Sequence, residues 1–346
     1  MILVAGGTGL LGSRVVKVLT DAGEQVRVVT RDPRRASHLP AGVEVVFTDV
    51  RRGPLDTAVE GCDRVVSAVH GFAGPGRTSP ATVDRDGNRS LIAAAKRAGV
   101  DRFVLVSIVG ARPDHPMSLH RMKYAAEQEL RASGLRAAIV RSTSFLETWI
   151  EIIGGRVGQG GPALVLGPGQ NPINFVSADD VAAFVCLAVH GDQRIGDGLS
   201  VGGPQNLGFI EIAAHLLACK GRTDRPKQVP LAALKVMSVI TRPLRPGFAR
   251  QARAAVVMNT TDMTFDALPV RDRFPDIPAT TLADVAEAMT SKAAPRQRPR
   301  RSDPRSGRTP QAADRSLTGP DPRAEQGLPV PSGSPPARTI ECDPCG

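Results

Sequence analysis

The sequence predicts an α/β fold built on a doubly wound parallel sheet, followed by a small C-terminal substrate region and an unstructured tail. Three observations predict it. Strand-like apolar runs alternate with amphipathic helical stretches through the first 190 or so residues. The first run breaks into a glycine turn that opens a helix. Val65-Val66-Ser67-Ala68-Val69 and Phe103-Val104-Leu105-Val106-Ser107 are continuous apolar segments, as central strands covered on both faces must be. The spacing places strands near 1–5, 25–30, 43–47, 63–69, 102–107 and 136–141, and helices near 10–22, 80–98 and 117–133. The carboxyl ends of the strands should then rim a ligand crevice.

The first strand ends at Ala5, while Leu10, Leu11, Val15, Val18 and Leu19 recur at helical spacing, so Gly6 to Gly9 must turn the chain between them. Such a turn presents backbone N–H groups and the positive end of a helix dipole, which suits a pyrophosphate. Gly12, one turn into the helix, allows close packing on the strand. The glycines read G-x-x-G-x-x-G, whereas the usual dinucleotide fingerprint is G-x-G-x-x-G. In this form Ala5-Gly6-Gly7-Thr8-Gly9-Leu10-Leu11-Gly12 resembles the opening of extended and atypical short-chain dehydrogenase/reductases, in particular their NmrA-like branch of quinone reductases and redox-sensing regulators. The resemblance implies a Rossmann-type fold with a dinucleotide lying against Gly6, Thr8, Gly9, Leu10, Leu11 and Gly12. The alternative is a glycine turn that binds nothing.

The second strand, residues 25–30, runs into Thr30-Arg31-Asp32-Pro33-Arg34-Arg35. A ribose 2′-hydroxyl calls for an acid here and a 2′-phosphate for a cation. Arg31 sits at the strand end, where its fork reaches a phosphate, and Asp32 before Pro33 reads as the cap of a short helix. NADP(H) is therefore favoured over NAD(H), the alternative being that Arg31 is one arginine among many. By resemblance, Asp49 and Val50 at the end of the third strand meet the adenine, and Ala68-Val69-His70 lies beneath the adenosine ribose and pyrophosphate. Read from the residue alone, Asp49 is equally a turn residue ending a strand. Asn88 in Asp86-Gly87-Asn88 is expected to hold helix and strand together.

Short-chain dehydrogenases commonly use Tyr-x-x-x-Lys as acid and ribose anchor. Here the one tyrosine, Tyr124, follows Lys123, and the residue four before Lys123 is Leu119. Leu119, Met122, Ala126 and Leu130 form the apolar face of this helix, and Lys123 falls inside that arc. A lysine there needs a buried polar partner or must snorkel out. An orienting role at the cofactor ribose is preferred to an i,i+4 pair with Glu127. For the proton, Ser107 at the end of the fifth strand, His120 on the helix and His115 before it are the candidates. By resemblance, Ser142 to Phe145, at the end of the sixth strand, lie where the family lines the nicotinamide pocket and are expected to shape substrate space.

Residues 154–174 are loop-rich, and Ser177 caps a helix with Asp180 at its third position, a structural reading of both residues. The expected division is a dinucleotide-binding domain over 1–194, a substrate region over 195–290 with a helix near 208–219, a Pro-punctuated amphipathic stretch at 230–248 and a last helix near 280–290, and a Pro/Arg-rich tail over 291–346. From Lys292 onward there are eleven prolines and almost no large apolar residues, too few to bury a core.

The formal charge is +10, of which the tail carries +4, with ten Lys/Arg against six Asp/Glu. With few aromatics and no basic helix, nucleic acid is not the expected partner. The five cysteines are too few and scattered for a disulfide framework, and Cys342-x-x-Cys345 lacks the second pair that a metal site needs. No run reaches membrane-span length, and a strand beginning at Met1 leaves no room for a signal peptide, so a cytoplasmic protein with a small-molecule substrate, no metal and no membrane partner is expected. The preferred function is reduction of a carbonyl, quinone or enone by NADPH. A non-catalytic NADP(H) sensor is the rival, and a nucleotide-sugar epimerase or dehydratase loses force without the tyrosine.

Overall fold

Met1 to Ala5 and the glycine turn set the frame. The computed structural model describes residues 1–74 and 78–293. The tail from 294 onward, with Cys342 and Cys345, lies outside the described residues. The described residues belong to one compact unit.

Chain order begins β1 (Ile2–Ala5), α1 (Leu10–Asp21), β2 (Val26–Thr30), α2 (Pro33–Ala36), β3 (Glu44–Phe47), α3 (Asp56–Val59) and β4 (Arg64–Ser67). A π-helical turn, Pro80–Arg85, then runs into α4 (Asp86–Arg97), followed by β5 (Arg102–Ile108), α5 (Ser118–Ala132) and β6 (Arg136–Ser142). Next come β7 (Ser144–Phe145), α6 (Leu146–Gly154), β8 (Leu164–Leu166), β9 (Ile173–Val176), α7 (Ala178–His190), β10 (Gly198–Val201), β11 (Gln205–Leu207) and α8 (Phe209–Ala218). The rest is β12 (Lys227–Val229), α9 (Leu231–Ile240), α10 (Pro246–Met258), α11 (Leu268–Arg273) and α12 (Leu282–Ala293). The amphipathic stretch near 230–248 thus divides at Pro243 between α9 and α10.

The main sheet has seven parallel strands in the order β10-β6-β5-β4-β1-β2-β3. Chain direction across it reverses between β1 and β4, the switch point at which such sheets bind ligands. Alternate residues of β1 feed two cores, Ile2 and Val4 facing α1 and α7, Leu3 and Ala5 facing α3, α4 and α5. The doubly wound sheet expected from the apolar runs is what forms, and β10 supplies its seventh strand from beyond residue 194.

A third core gathers α6, α8, α12 and the short strands around Trp149, Phe175 and Phe209, with the Trp149 and Phe209 rings stacked at 4.4 Å. Asp180 joins this region to the sheet. It accepts from Arg271 at 2.8 Å and from the Thr280 N–H at 3.1 Å, so it ties α7 to the C-terminal segment, while Ser177 caps α7 by accepting from Asp179 N–H and the Glu147 carboxylate accepts the neighbouring Ala178 N–H. Among the described residues no helix is long and apolar enough to cross a membrane.

Candidate functional site

Because all strands of the main sheet run parallel, the turns that follow them gather along one edge, and the tightest of them follows β1. Gly6 has φ +86°, and a Cβ on it would lie 2.6 Å from the Ala68 carbonyl oxygen. A Cβ on Gly12 would lie 2.1 Å from Gly6 O. Only glycine fits either place, so helix, turn and the end of β4 touch backbone to backbone. Gly9 caps α1 with no side-chain bond, which leaves the first-turn amides and the positive helix end bare. That cradle fits a diphosphate. Thr8 is half-buried with Oγ1 3.5 Å from Thr30 Oγ1, and Leu10 is exposed. Leu11 is turned into the core, so only its backbone faces the cradle.

After β2, Asp32 caps α2 as expected, accepting from Arg34 N–H at 3.0 Å with Pro33 at the first helical position. Arg31 is half-exposed, with Nη1 4.0 Å from Asp49 Oδ2. Asp49 does not stand free for an adenine. Arg51 Nε lies 3.0 Å from each of its oxygens and Nη2 2.6 Å from Oδ2. Burial alone would raise the Asp49 carboxyl, but Arg51, helped by Arg31, holds it below the usual range. Arg51 is a residue that sequence reasoning misses, its only sign being its place two residues after a strand-ending acid. Val50 gives its side chain to the core rather than to an open surface.

Lys123 lies inside, 5% exposed. Its Nζ is 3.0 Å from Val69 O, 3.0 Å from Val106 O and 3.1 Å from Asp84 Oδ1. These acceptors match the three ammonium protons, so the lysine clasps the ends of β4 and β5 together instead of reaching outward. The pair with Glu127 does not form, because Glu127 holds Arg141 through bonds of 2.8 and 2.6 Å. Asp84, also missed, is fully buried, and its Oδ2 accepts the Gly71 N–H at 2.9 Å. Burial raises its carboxyl, but Lys123, His70 and Gly71 together hold it below the normal range. One sign of it exists in the sequence: Asp84, Asn88, Leu91 and Ala95 share one helical face. Asn88 accepts from Ser67 Oγ at 2.5 Å and donates to Asp84 O at 2.7 Å, the helix-to-strand tie expected of it.

His70, half-exposed, stands above this pair with Nδ1 3.8 Å from Asp84 Oδ1. Ser107 is 3% exposed, and its Oγ has no hydrogen-bond partner among the described residues. A buried hydroxyl left open at a strand end is suited to a ligand. His120, a candidate proton donor, does not face solvent. It is buried and stacks on His115 at 3.7 Å, its Nδ1 unpartnered among the described residues. Burial, then His115 and Arg112, push its pKa down to about 3, which removes an imidazolium donor near neutral pH. His115 is likewise buried, with Nδ1 accepting Met117 N–H. Beyond β6, Ser142 is buried and Thr143 donates to Asn174 Oδ1 at 2.9 Å, while Ser144 and Phe145 stay partly open.

Residues 6–191 match the NAD(P)H-binding family. NAD(P)H azoreductase of Xenophilus azovorans is 32% identical over 68% of this chain and 79% of that protein. Photosystem II assembly factor Ycf39 of Synechocystis sp. is 30% identical over 79% of this chain and 85% of its own length. The fold is shared with NADPH-dependent quinone oxidoreductase QOR2 of Escherichia coli, solved with NADPH, at TM-score 0.67 and 21% identity, covering 84% of this chain and 100% of that one.

Proposed function

Because the chain belongs to the NAD(P)H-binding family of atypical, NmrA-like short-chain dehydrogenase/reductases, we propose that it is an NADPH-dependent reductase of a quinone, enone or activated carbonyl. When bound, the dinucleotide supplies a hydride. The Gly6 to Gly12 turn receives its diphosphate, and Arg31 with Arg51 receives the 2′-phosphate. Lys123 and Asp84 hold the 68–71 turn and the end of β5 in register. The Ser107 hydroxyl and the His70 imidazole are the polar groups left to face the acceptor's oxygen. Ser142 to Phe145 and the region over 195–290 wall the acceptor in.

The observation that carries this reading is the full commitment of Lys123. Its three protons are spent on Asp84, Val69 and Val106, and no tyrosine stands four residues before it, so the site lacks the usual activated phenol. An acceptor whose reduced oxygen is a weak base, as in a hydroquinone, needs the least help from an acid. The azoreductase relative supports chemistry on a conjugated acceptor. The test is NADPH oxidation by the purified full chain with a naphthoquinone, an enone and an aldehyde. Turnover fastest with the quinone is expected; intact NADPH binding with no acceptor consumed above the uncatalysed rate refutes the reading.

A second reading is a redox sensor, favoured by the relative named an assembly factor. It requires affinities that differ between NADPH and NADP⁺, since a ligand bound equally by two states shifts neither. Titration with both forms decides it.

A further inference from the structure

The corner formed by α9, the turn after it and the start of α10 turns its apolar side chains outward. Val236 is 55% exposed, Val239 71%, Ile240 68%, Leu244 88% and Phe248 43%, whereas α9 buries only Leu234. Val236, Val239 and Ile240 share one helical face at i, i+3 and i+4, and Leu244 and Phe248 extend the patch across the turn. These five are half of the ten large apolar residues exposed among the described residues, gathered within thirteen positions. That concentration is unlike the scattered single residues of an ordinary surface.

The charge of the same segment is one-sided. From Arg225 to Thr261 the chain has seven Lys/Arg and no Asp or Glu, so this stretch carries +7 against a whole-chain +10. Among the described residues none of the seven forms an ion pair, and Lys235, Arg242 and Arg245 flank the apolar patch in exposed positions. We propose that this corner docks the protein on an anionic lipid bilayer. An apolar face edged by cations is what enters the headgroup boundary, the side chains passing below the phosphates and the arginines staying among them. A second copy of the chain would meet seven like charges, and a bilayer offers apolar depth and negative charge together.

The corner is also fixed to the crevice. Arg250 on α10 donates to Phe72 O at 3.0 Å, Gly74 O at 3.0 Å and Thr78 O at 2.9 Å, around the turn that carries His70. Phe72 packs with Met117, Ala254 and Val257 in a small core of its own. Docking would thus bring the crevice rim to the bilayer, where a lipid-soluble acceptor is concentrated. That last step rests on the reductase reading; docking does not.

The experiment is flotation of the full chain with vesicles of phosphatidylglycerol and phosphatidylcholine, and with phosphatidylcholine alone, at low and high salt. Binding to the anionic vesicles only, weakened by salt, is expected. Ile240→Asp with Leu244→Asp should abolish it, and Arg242→Gln with Arg245→Gln should weaken it about 25-fold, roughly fivefold per cation. NADPH affinity, unchanged in both variants, reports an intact fold. No flotation, equal flotation with neutral vesicles, or flotation untouched by these substitutions overturns the proposal. So does a protein that does not float but forms a dimer lost in Ile240→Asp with Leu244→Asp.

Discussion

Lys123 Nζ and Asp84 Oδ1 lie 3.1 Å apart with both side chains closed off from solvent, so each is the other's nearest compensating charge among the described residues. Removing one member of such a pair strands the other charge and costs about 3–5 kcal/mol, whereas replacing both with apolar groups is far less harmful. Asp84→Ala and Lys123→Met should each destabilise by about that amount, and the double variant by less than the sum of the two. Urea unfolding of the four proteins measures it. Strict additivity would mean that the two charges do not depend on each other.

Arg31 and Arg51 approach Asp49 from the ends of adjacent strands, leaving one net positive charge beside the expected 2′-phosphate position. A lost charge-assisted bond of about 1.5–3 kcal/mol corresponds to roughly 10–150-fold in affinity. Arg31→Ala and Arg51→Ala should therefore weaken NADPH by about that factor and leave NADH nearly unchanged. Calorimetric titration with both dinucleotides is the check. An equal loss for NADH would remove the 2′-phosphate assignment.

The strand runs were legible because a strand covered on two faces admits only apolar residues, and Phe103 to Val106 obeys that rule with no local ambiguity. The glycine turn was legible for a related reason: at Gly6 and Gly12 the backbone leaves no room for another residue. Lys123 could be placed inside from its helical phase. Its partner could not, because Asp84 is 39 positions earlier and the two meet only through the packing of α5 on the turn before α4. The burial of His120 was not legible, since helical phase says which residues share a face but not what packs above it. His115 arrives there from the preceding loop. Arg51 was hidden because an arginine two residues past a strand is common in an arginine-rich chain.

Gly12 makes the sharpest steric forecast. A Cβ there would stand 2.1 Å from a carbonyl oxygen of the turn it packs on, so helix or turn must shift. Overpacking of this kind costs about 1–3 kcal/mol, and here the displaced atoms are the cradle itself. Gly12→Ala should lower stability by that amount and reduce dinucleotide affinity as well. Gly158→Ala, with nothing within 4 Å of its new Cβ, should change neither appreciably. Thermal melts with and without NADPH separate the effects. An unaltered NADPH-induced shift in Gly12→Ala would show that the cradle is not where the diphosphate lies.

His120 makes the fold sensitive to mild acid. Burial, then His115 and Arg112, lower its pKa from 6.5 to about 3, and burial lowers His115 as well. Between those values the unfolded chain binds a proton that the folded chain refuses, so stability declines as pH falls below about 6.5 and is flat above it, with a limiting slope near 1.4 kcal/mol per pH unit for His120. Asp84 acts in the same direction but lower down: its depressed carboxyl contributes fully above the ordinary value of 3.8, and that stabilisation is lost as pH falls from there through the lower folded value. Urea midpoints from pH 7.5 to 5 should therefore drop in the wild-type chain by a free energy of about 2 kcal/mol from His120 alone. His120→Gln, which cannot titrate, should flatten the curve over the same interval, leaving only the shallower contribution of His115. A curve as steep in His120→Gln as in the wild type would mean that the buried ring stack is not what acid attacks.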